Sequence, residues 1–165
     1  MEPLEKLLES DKIEDGAFKC KAPGWTVAVS MSPGLVGRIV YSYSPAFDDD
    51  FSLTAFLNML ASSTVFLHNQ GWVAMCRVHQ GASAEIHGAR FRDSEKEGSS
   101  SADELFDLVM DALDLKALNA PVASTNTLAT EFMRRHGFEL SGVVPLSLSF
   151  NGVPANLNWY TRWRK

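Results

Sequence analysis

The second half of the chain changes hydrophobic period repeatedly, and this alternation most limits what it can fold into. From Ala84 to Phe91 the pattern is that of a strand. Ser101 and Glu104 then have capping-box spacing, and Leu105, Phe106, Val109, Met110 and Leu113 form the stripe of an amphipathic helix. Leu118 to Ser124 reads as a short strand started by Pro121. Asn126 to His136 is a second helix, with Leu128, Ala129, Phe132, Met133 and His136 on one side. Gly137 stands where a helix-ending residue of positive φ is expected. The chain closes with a hairpin, because Asn151-Gly152 suits a type I′ turn. Leu146, Leu148 and Phe150 alternate before that turn, and Ala155, Leu157, Trp159, Thr161 and Trp163 after it. Strands interleaved with helices bury their apolar faces most economically as a mixed sheet flanked by helices, so an α/β fold is expected.

The first half is patterned more loosely. Pro3 to Ser10 reads as a short helix carrying Leu4, Leu7 and Leu8, with Gly16 past its end. Trp25, Val27, Val29 and Met31 alternate, which predicts a strand. Pro33-Gly34 signals a turn, and Leu35 to Tyr43 reads as a second strand making a hairpin with the first. Leu53, Phe56, Leu57 and Leu60 have helical spacing behind Ser52 as a cap. Thr64 to His68 is β-prone, and Gly71 to Val78 is apolar enough for a central strand covered on both faces. A chain of 165 residues, 45% of them hydrophobic, suits one domain spanning 1–165.

Charge excludes some functions. A net charge of -5 lacks the basic surface of a general nucleic-acid binder, and Arg162, Arg164 and Lys165 make only a small basic tail. Asp48-Asp49-Asp50 reads as a solvated loop rather than a metal site, and no metal is expected. Cys20 and Cys76 match no metal or redox spacing and read as free thiols. No signal peptide and no run of membrane-spanning length is seen, so a cytoplasmic protein without membrane partners is expected. The aromatic C-terminal strand offers a surface for a partner, a homodimer among the options.

One constellation could carry chemistry. A strand ends near Arg90, and the polar segment Asp93 to Ser100 leads directly into a capped helix. Backbone N–H groups at such a helix start can receive a phosphate, although an ordinary strand-to-helix turn looks the same.

The spacing Asn126-x-x-Ala129-x-x-Phe132-x-x-x-His136-Gly137-Phe138 resembles the hallmark helix of the GCN5-related N-acetyltransferase (GNAT) superfamily. The likeness covers Ser83 to Lys165. It implies an acyl-CoA N-acyltransferase-like fold, acetyl-CoA as cosubstrate, and acetyl transfer to a small-molecule or protein amine. The family's pyrophosphate loop would fall on Glu95-Lys96-Glu97-Gly98-Ser99-Ser100, where Gly98 matches while Glu95 and Ser100 depart. By resemblance, Lys96, Gly98, Ser99, Ser100 and Asn126 would touch the cosubstrate, with capping as the other role open to Asn126. Glu85 would be the base that takes the amine's proton, with His87 two residues along the same face of the strand. Many members place a proton-donating Tyr where this chain has Met133, and a thioether donates no proton. Short, divergent proteins of this kind also resemble those carried by bacteriophages, some of them virion-associated. This gives a second reading, a catalytically inactive acetyltransferase-like protein with a structural or interaction role.

Overall fold

The computed structural model describes residues 5–46, 50–79, 82–91 and 102–165. Its strands are β1 (Leu8–Glu14), β2 (Ala17–Cys20), β3 (Trp25–Ala28), β4 (Thr64–His68), β5 (Trp72–Val78), β6 (Ser83–Arg90), β7 (Ala117–Ala123), β8 (Glu139–Phe150) and β9 (Val153–Trp163). Its helices are α1 (Pro33–Tyr43), α2 (Asp50–Ala61), α3 (Ala102–Ala112) and α4 (Thr127–Arg135). A single 3-10 turn, Ser44–Ala46, follows α1. The strands form one mixed sheet in the order β1-β2-β3-β4-β5-β6-β7-β9-β8, as an α/β fold requires.

Three expectations for the first half are corrected. The segment read as a strand from Leu35 to Tyr43 is helix α1. Ser32 is its N-cap, its Oγ accepting from the Leu35 N–H at 3.1 Å, and Pro33 occupies the first turn, where a missing N–H costs nothing. Leu35, Val36, Ile39, Val40 and Tyr43 therefore form a helical stripe against the sheet, and β3 pairs with β2 and β4 instead of with this segment. Of the helix expected over Pro3 to Ser10, Pro3 and Leu4 lie outside the described residues and Glu5 is helical, but the chain turns at Lys6 and Leu7 and runs as strand β1 from Leu8 onward, with Leu7 anchored in the core at 1% exposure. Asp15 and Gly16 both have positive φ (52° and 75°) and join β1 to β2 as a tight hairpin, so Gly16 does not end a helix. Ser52 does not cap α2, which is already running at Asp50.

The second half follows its pattern closely. Gly137 has φ of 80° after α4, and Asn151 and Gly152 (53° and 76°) make the β8–β9 turn. Pro121 lies inside β7 rather than at its start. Ser101 and Asp48-Asp49 lie outside the described residues.

The sheet carries an apolar core on each face. Leu105, Phe106, Val109 and Met110 of α3 pack with Ala74, Cys76, Ala84, Ile86 and Leu118 on one side. Ile39, Phe56 and Leu60 of α1 and α2 pack with Val65, Val73 and Met75 on the other. β5 contributes alternate residues to both, which is why its sequence is apolar throughout. Cys20 and Cys76 are buried, unpaired thiols.

Candidate active site

β6 and β7 run parallel and pair at Ser83–Ala117, Ala84–Leu118 and Glu85–Asn119, and among the described residues their pairing ends there. Each is held from its outer side: β6 stays paired to β5 as far as Arg90–Trp72, and β7 to β9 as far as Ala123–Leu157. The two strands therefore part like a fork with Glu85 and Asn119 at its base. Pro121 sits two residues beyond the last pair, where β7 needs no N–H for a β6 ladder.

A cleft of about 850 Å³ fills the fork and passes through the sheet. On one face it is lined by Leu105 and Phe106 of α3 and by Ala129, Phe132 and Met133 of α4. On the other it is lined by Tyr43 of α1, Phe56 and Met59 of α2, and Leu148, Phe150 and Leu157 of the terminal hairpin. The first wall is fixed by His136, whose Nδ1 lies 3.1 Å from Asp103 Oδ1 and ties the end of α4 to the start of α3.

Glu85 is buried (8% exposed) at the base of the fork. Its Oε2 accepts from Arg77 Nη2 at 2.6 Å and lies 3.6 Å from His79 Nε2, while His87 Nε2 lies 3.4 Å from Oε1. The His87 imidazole and the Arg77 guanidinium hold the carboxyl down to about 2, against the upward pull of burial. Glu85 thus stays ionised at neutral pH and presents a fixed negative charge at the base of the cleft. Such a carboxylate attracts a cation strongly but retains a proton poorly.

Two polar atoms lining the cleft are buried with no hydrogen-bond partner among the described residues: His87 Nε2 and the Tyr43 hydroxyl. For His87 the contact with Glu85 is close enough for charge attraction but too poorly directed for a hydrogen bond. For Tyr43, burial pushes the phenol pKa up, so the hydroxyl keeps its proton and can donate it in a hydrogen bond.

Glu85 also borders a second, smaller cavity of about 400 Å³, shared with His79, Asn119, Ser141, Gly142 and Trp159. A polar row crosses the sheet here. Arg77, Glu85, Asn119 and Thr161 are successive register partners on β5, β6, β7 and β9. Thr161 Oγ1 lies 2.8 Å from both Asn119 Oδ1 and Ser141 Oγ, so its single proton serves one of them at a time.

The structure brings Glu85, His87 and Asn126 together around one cleft. The Asn126 Oδ1 accepts from the Ala129 N–H at 3.2 Å, so that oxygen is committed to capping α4. Met133 is 9% exposed and belongs to the core as well as to the cleft wall. Lys96, Gly98, Ser99 and Ser100 lie outside the described residues. Sequence reasoning missed Arg77, Asn119, Thr161 and Tyr43. For Arg77 a signal was present: it is the one charged residue in the apolar strand Trp72–Val78, and a charge in a covered strand calls for a partner. For Tyr43 the signal was a phenol in a helical apolar stripe, whose polar tip needs a partner.

No protein-family model matches the chain, and no curated protein matches it in sequence. Solved structures do. A GNAT family acetyltransferase from Elizabethkingia anophelis, solved with acetyl-CoA bound, matches with a TM-score of 0.64 over 92% of this chain and 100% of its own, at 13% identity. An acetyltransferase of Bacillus subtilis in complex with CoA matches with a TM-score of 0.65 over 86% of this chain and 98% of its own, at 12% identity. The ribosomal-protein-S5-alanine acetyltransferase of Vibrio fischeri matches with a TM-score of 0.58 over 92% and 100%, at 12% identity. Likeness at such identities is likeness of architecture, and in architecture this chain has the acyl-CoA N-acyltransferase-like fold of the GNAT acetyltransferases.

Proposed function

We propose that the chain is an N-acetyltransferase, one domain over 1–165, that moves an acetyl group from acetyl-CoA to an amine. The observation that carries this reading is the parting of β6 and β7 beyond Glu85 and Asn119. The parted strands leave backbone edges along Ile86–Arg90 and Ala120–Ala123 that no strand of the sheet pairs across the fork. Such edges suit the amide groups of an extended pantetheine arm, and the cleft between them runs from one face of the sheet to the other. Two of the three structures compared above hold acetyl-CoA or CoA, which supports acetyl-CoA as the cosubstrate here. Acetyl-CoA supplies an activated acyl carbon whose leaving group is a thiolate.

The chain's own residues do the rest. The Glu85 carboxylate draws the cationic amine to the base of the fork. The ammonium first loses one proton to solvent; the neutral nitrogen then bonds to the acetyl carbon, the carbon–sulfur bond breaks with its electron pair leaving on sulfur, and the nitrogen gives up its second proton. His87 receives that proton on its imidazole, and Glu85 Oε1, 3.4 Å from Nε2, stabilises the resulting imidazolium. Met133 provides no proton to the sulfur, but a thiol of pKa about 8.5 leaves as thiolate near neutral pH without one. Lys96, Gly98, Ser99 and Ser100 are proposed to receive the diphosphate, and Asn126 to border it while capping α4.

Acetyl-CoA should raise the melting temperature of the wild type by mass action, by an amount corresponding to about 2.7 kcal/mol at a hundredfold excess over Kd. Gly98→Trp should abolish the shift. No shift at millimolar acetyl-CoA would refute the enzyme reading and favour the inactive, phage-type interaction protein, for which the buried Met133 at the donor position is the supporting observation. Edge strand β8 exposes Leu140, Val143, Val144 and Leu146, which supports self-association there, and light scattering on the wild type and Leu146→Lys tests it.

A further inference from the structure

The cleft differs sharply between its two ends. On the α1/α2 face it has a roof. The Pro45 carbonyl in the turn after α1 accepts from the Asn151 N–H at the hairpin tip at 2.9 Å. The hairpin reaches that far because β8 takes four steps, Val144 to Leu148, where β9 takes two, Leu157 to Ala155. This bulge is pinned by Asn156 Oδ1 accepting from the Leu146 N–H at 3.0 Å, with Leu146 at a φ of 45°. Under the roof the walls are mainly apolar, from Phe56, Met59, Leu148, Phe150 and Leu157, with the Tyr43 phenol and with Ser42, whose hydroxyl already donates to the Arg38 carbonyl. The Tyr43 and Phe56 rings pack with their centroids 5.0 Å apart, tilted by 35°. The floor is Glu85 and His87.

This compartment selects. A polyamine or a sugar amine would lose its hydration against such walls with little to replace it. A protein N-terminus would have to bring its peptide backbone past the hairpin tip, which is tied to Pro45. A compact apolar body with one amine fits, its nitrogen at the floor. The Tyr43 hydroxyl adds a further requirement, since it is buried and unpartnered on the same wall.

We propose that the acceptor is a small arylalkyl-type amine, enclosed under the hairpin roof, and that Tyr43 selects it by hydrogen-bonding a polar substituent on the end away from the amine. This rests on the acetyl-transfer reading above. The chemistry is unchanged: one ammonium proton lost to solvent before attack, nitrogen–carbon bond formed, carbon–sulfur bond broken, thiolate released, and the second proton passed from nitrogen to His87.

Calorimetric titration of the full chain with acetyl-CoA comes first and tests only the underlying reading. Thiol release is then measured with 4-hydroxyphenethylamine, phenethylamine, spermidine and a peptide with a free N-terminal alanine. The two arylalkyl amines should exceed the others at least tenfold in kcat/KM. Tyr43→Phe should lower the ratio of kcat/KM for the hydroxylated over the plain amine about tenfold, mainly through KM. Because this hydroxyl has no partner among the described residues, Tyr43→Phe should also melt at or above the wild-type temperature. Acetyl-CoA binding with spermidine or the peptide preferred would overturn the substrate class. An unchanged ratio, or a clearly lowered melting temperature, would overturn the role of Tyr43. Failure to bind acetyl-CoA would remove the reading beneath both.

Discussion

Replacing Glu85 with glutamine removes one buried charge at nearly constant shape, so its effect on stability can be worked out with a sign and a pH window. The carboxyl is lowered from an ordinary value of 4.5 to about 2. At roughly 1.4 kcal/mol per unit, the charged form contributes about 3 kcal/mol to stability at neutral pH. A lowered carboxyl pKa contributes fully above the unfolded value and loses that contribution as pH falls through the folded value. The window is therefore pH 4.5 down to about 2, and about 1 kcal/mol should survive at pH 3. Glutamine still accepts from Arg77, so the variant should be less stable than wild type by about 2–3 kcal/mol at pH 7. Urea unfolding of both proteins at pH 7 and pH 3 reads the effect, since titrating groups out of contact with Glu85 cancel in the difference. The gap should narrow by about 2 kcal/mol at the lower pH. A gap equal at both values, or no gap at pH 7, would refute the electrostatic account of Glu85.

Other perturbations separate capping from binding. Asn126→Ala should cost about 1 kcal/mol by removing the α4 cap. If acetyl-CoA affinity falls by no more than that loss explains, its role ends at capping. Ser32→Ala should destabilise by a similar ~1 kcal/mol in a urea melt, because Ser32 caps α1; were the segment a strand, the change would be close to neutral. Gly137→Ala should cost about 1–2 kcal/mol, since φ of 80° disfavours any Cβ there.

Legibility followed the reach of the interactions. The helix from Asn126 to His136 carries its own cap, stripe and stop, so local chemistry specifies it. The same local rules were present at Ser32-Pro33, but a cap followed by a first-turn proline resembles a turn when the next residues are β-branched. Leu35, Val36, Ile39, Val40 and Tyr43 fit a helical stripe, and tyrosine and valine near the end tilted the reading toward a strand. Asp15-Gly16 is a hairpin signal whose flanking strands are too polar to announce themselves, with β1 largely exposed. Glu85 and His87 were readable as a pair because period-2 geometry puts them on one face. The fork was not readable, because the sequence of β6 does not say where β7 leaves it. Nor was the roof, which joins Pro45 to Asn151 across most of the chain.

The central claim is that the fork between β6 and β7 holds the acyl donor. A crystal structure of the full chain with acetyl-CoA tests this most directly. The account predicts the pantetheine arm between Ile86–Arg90 and Ala120–Ala123, with the thioester carbonyl carbon within reach of the Glu85–His87 pair. Acetyl-CoA bound elsewhere, or a fork left empty at saturating ligand, would contradict it.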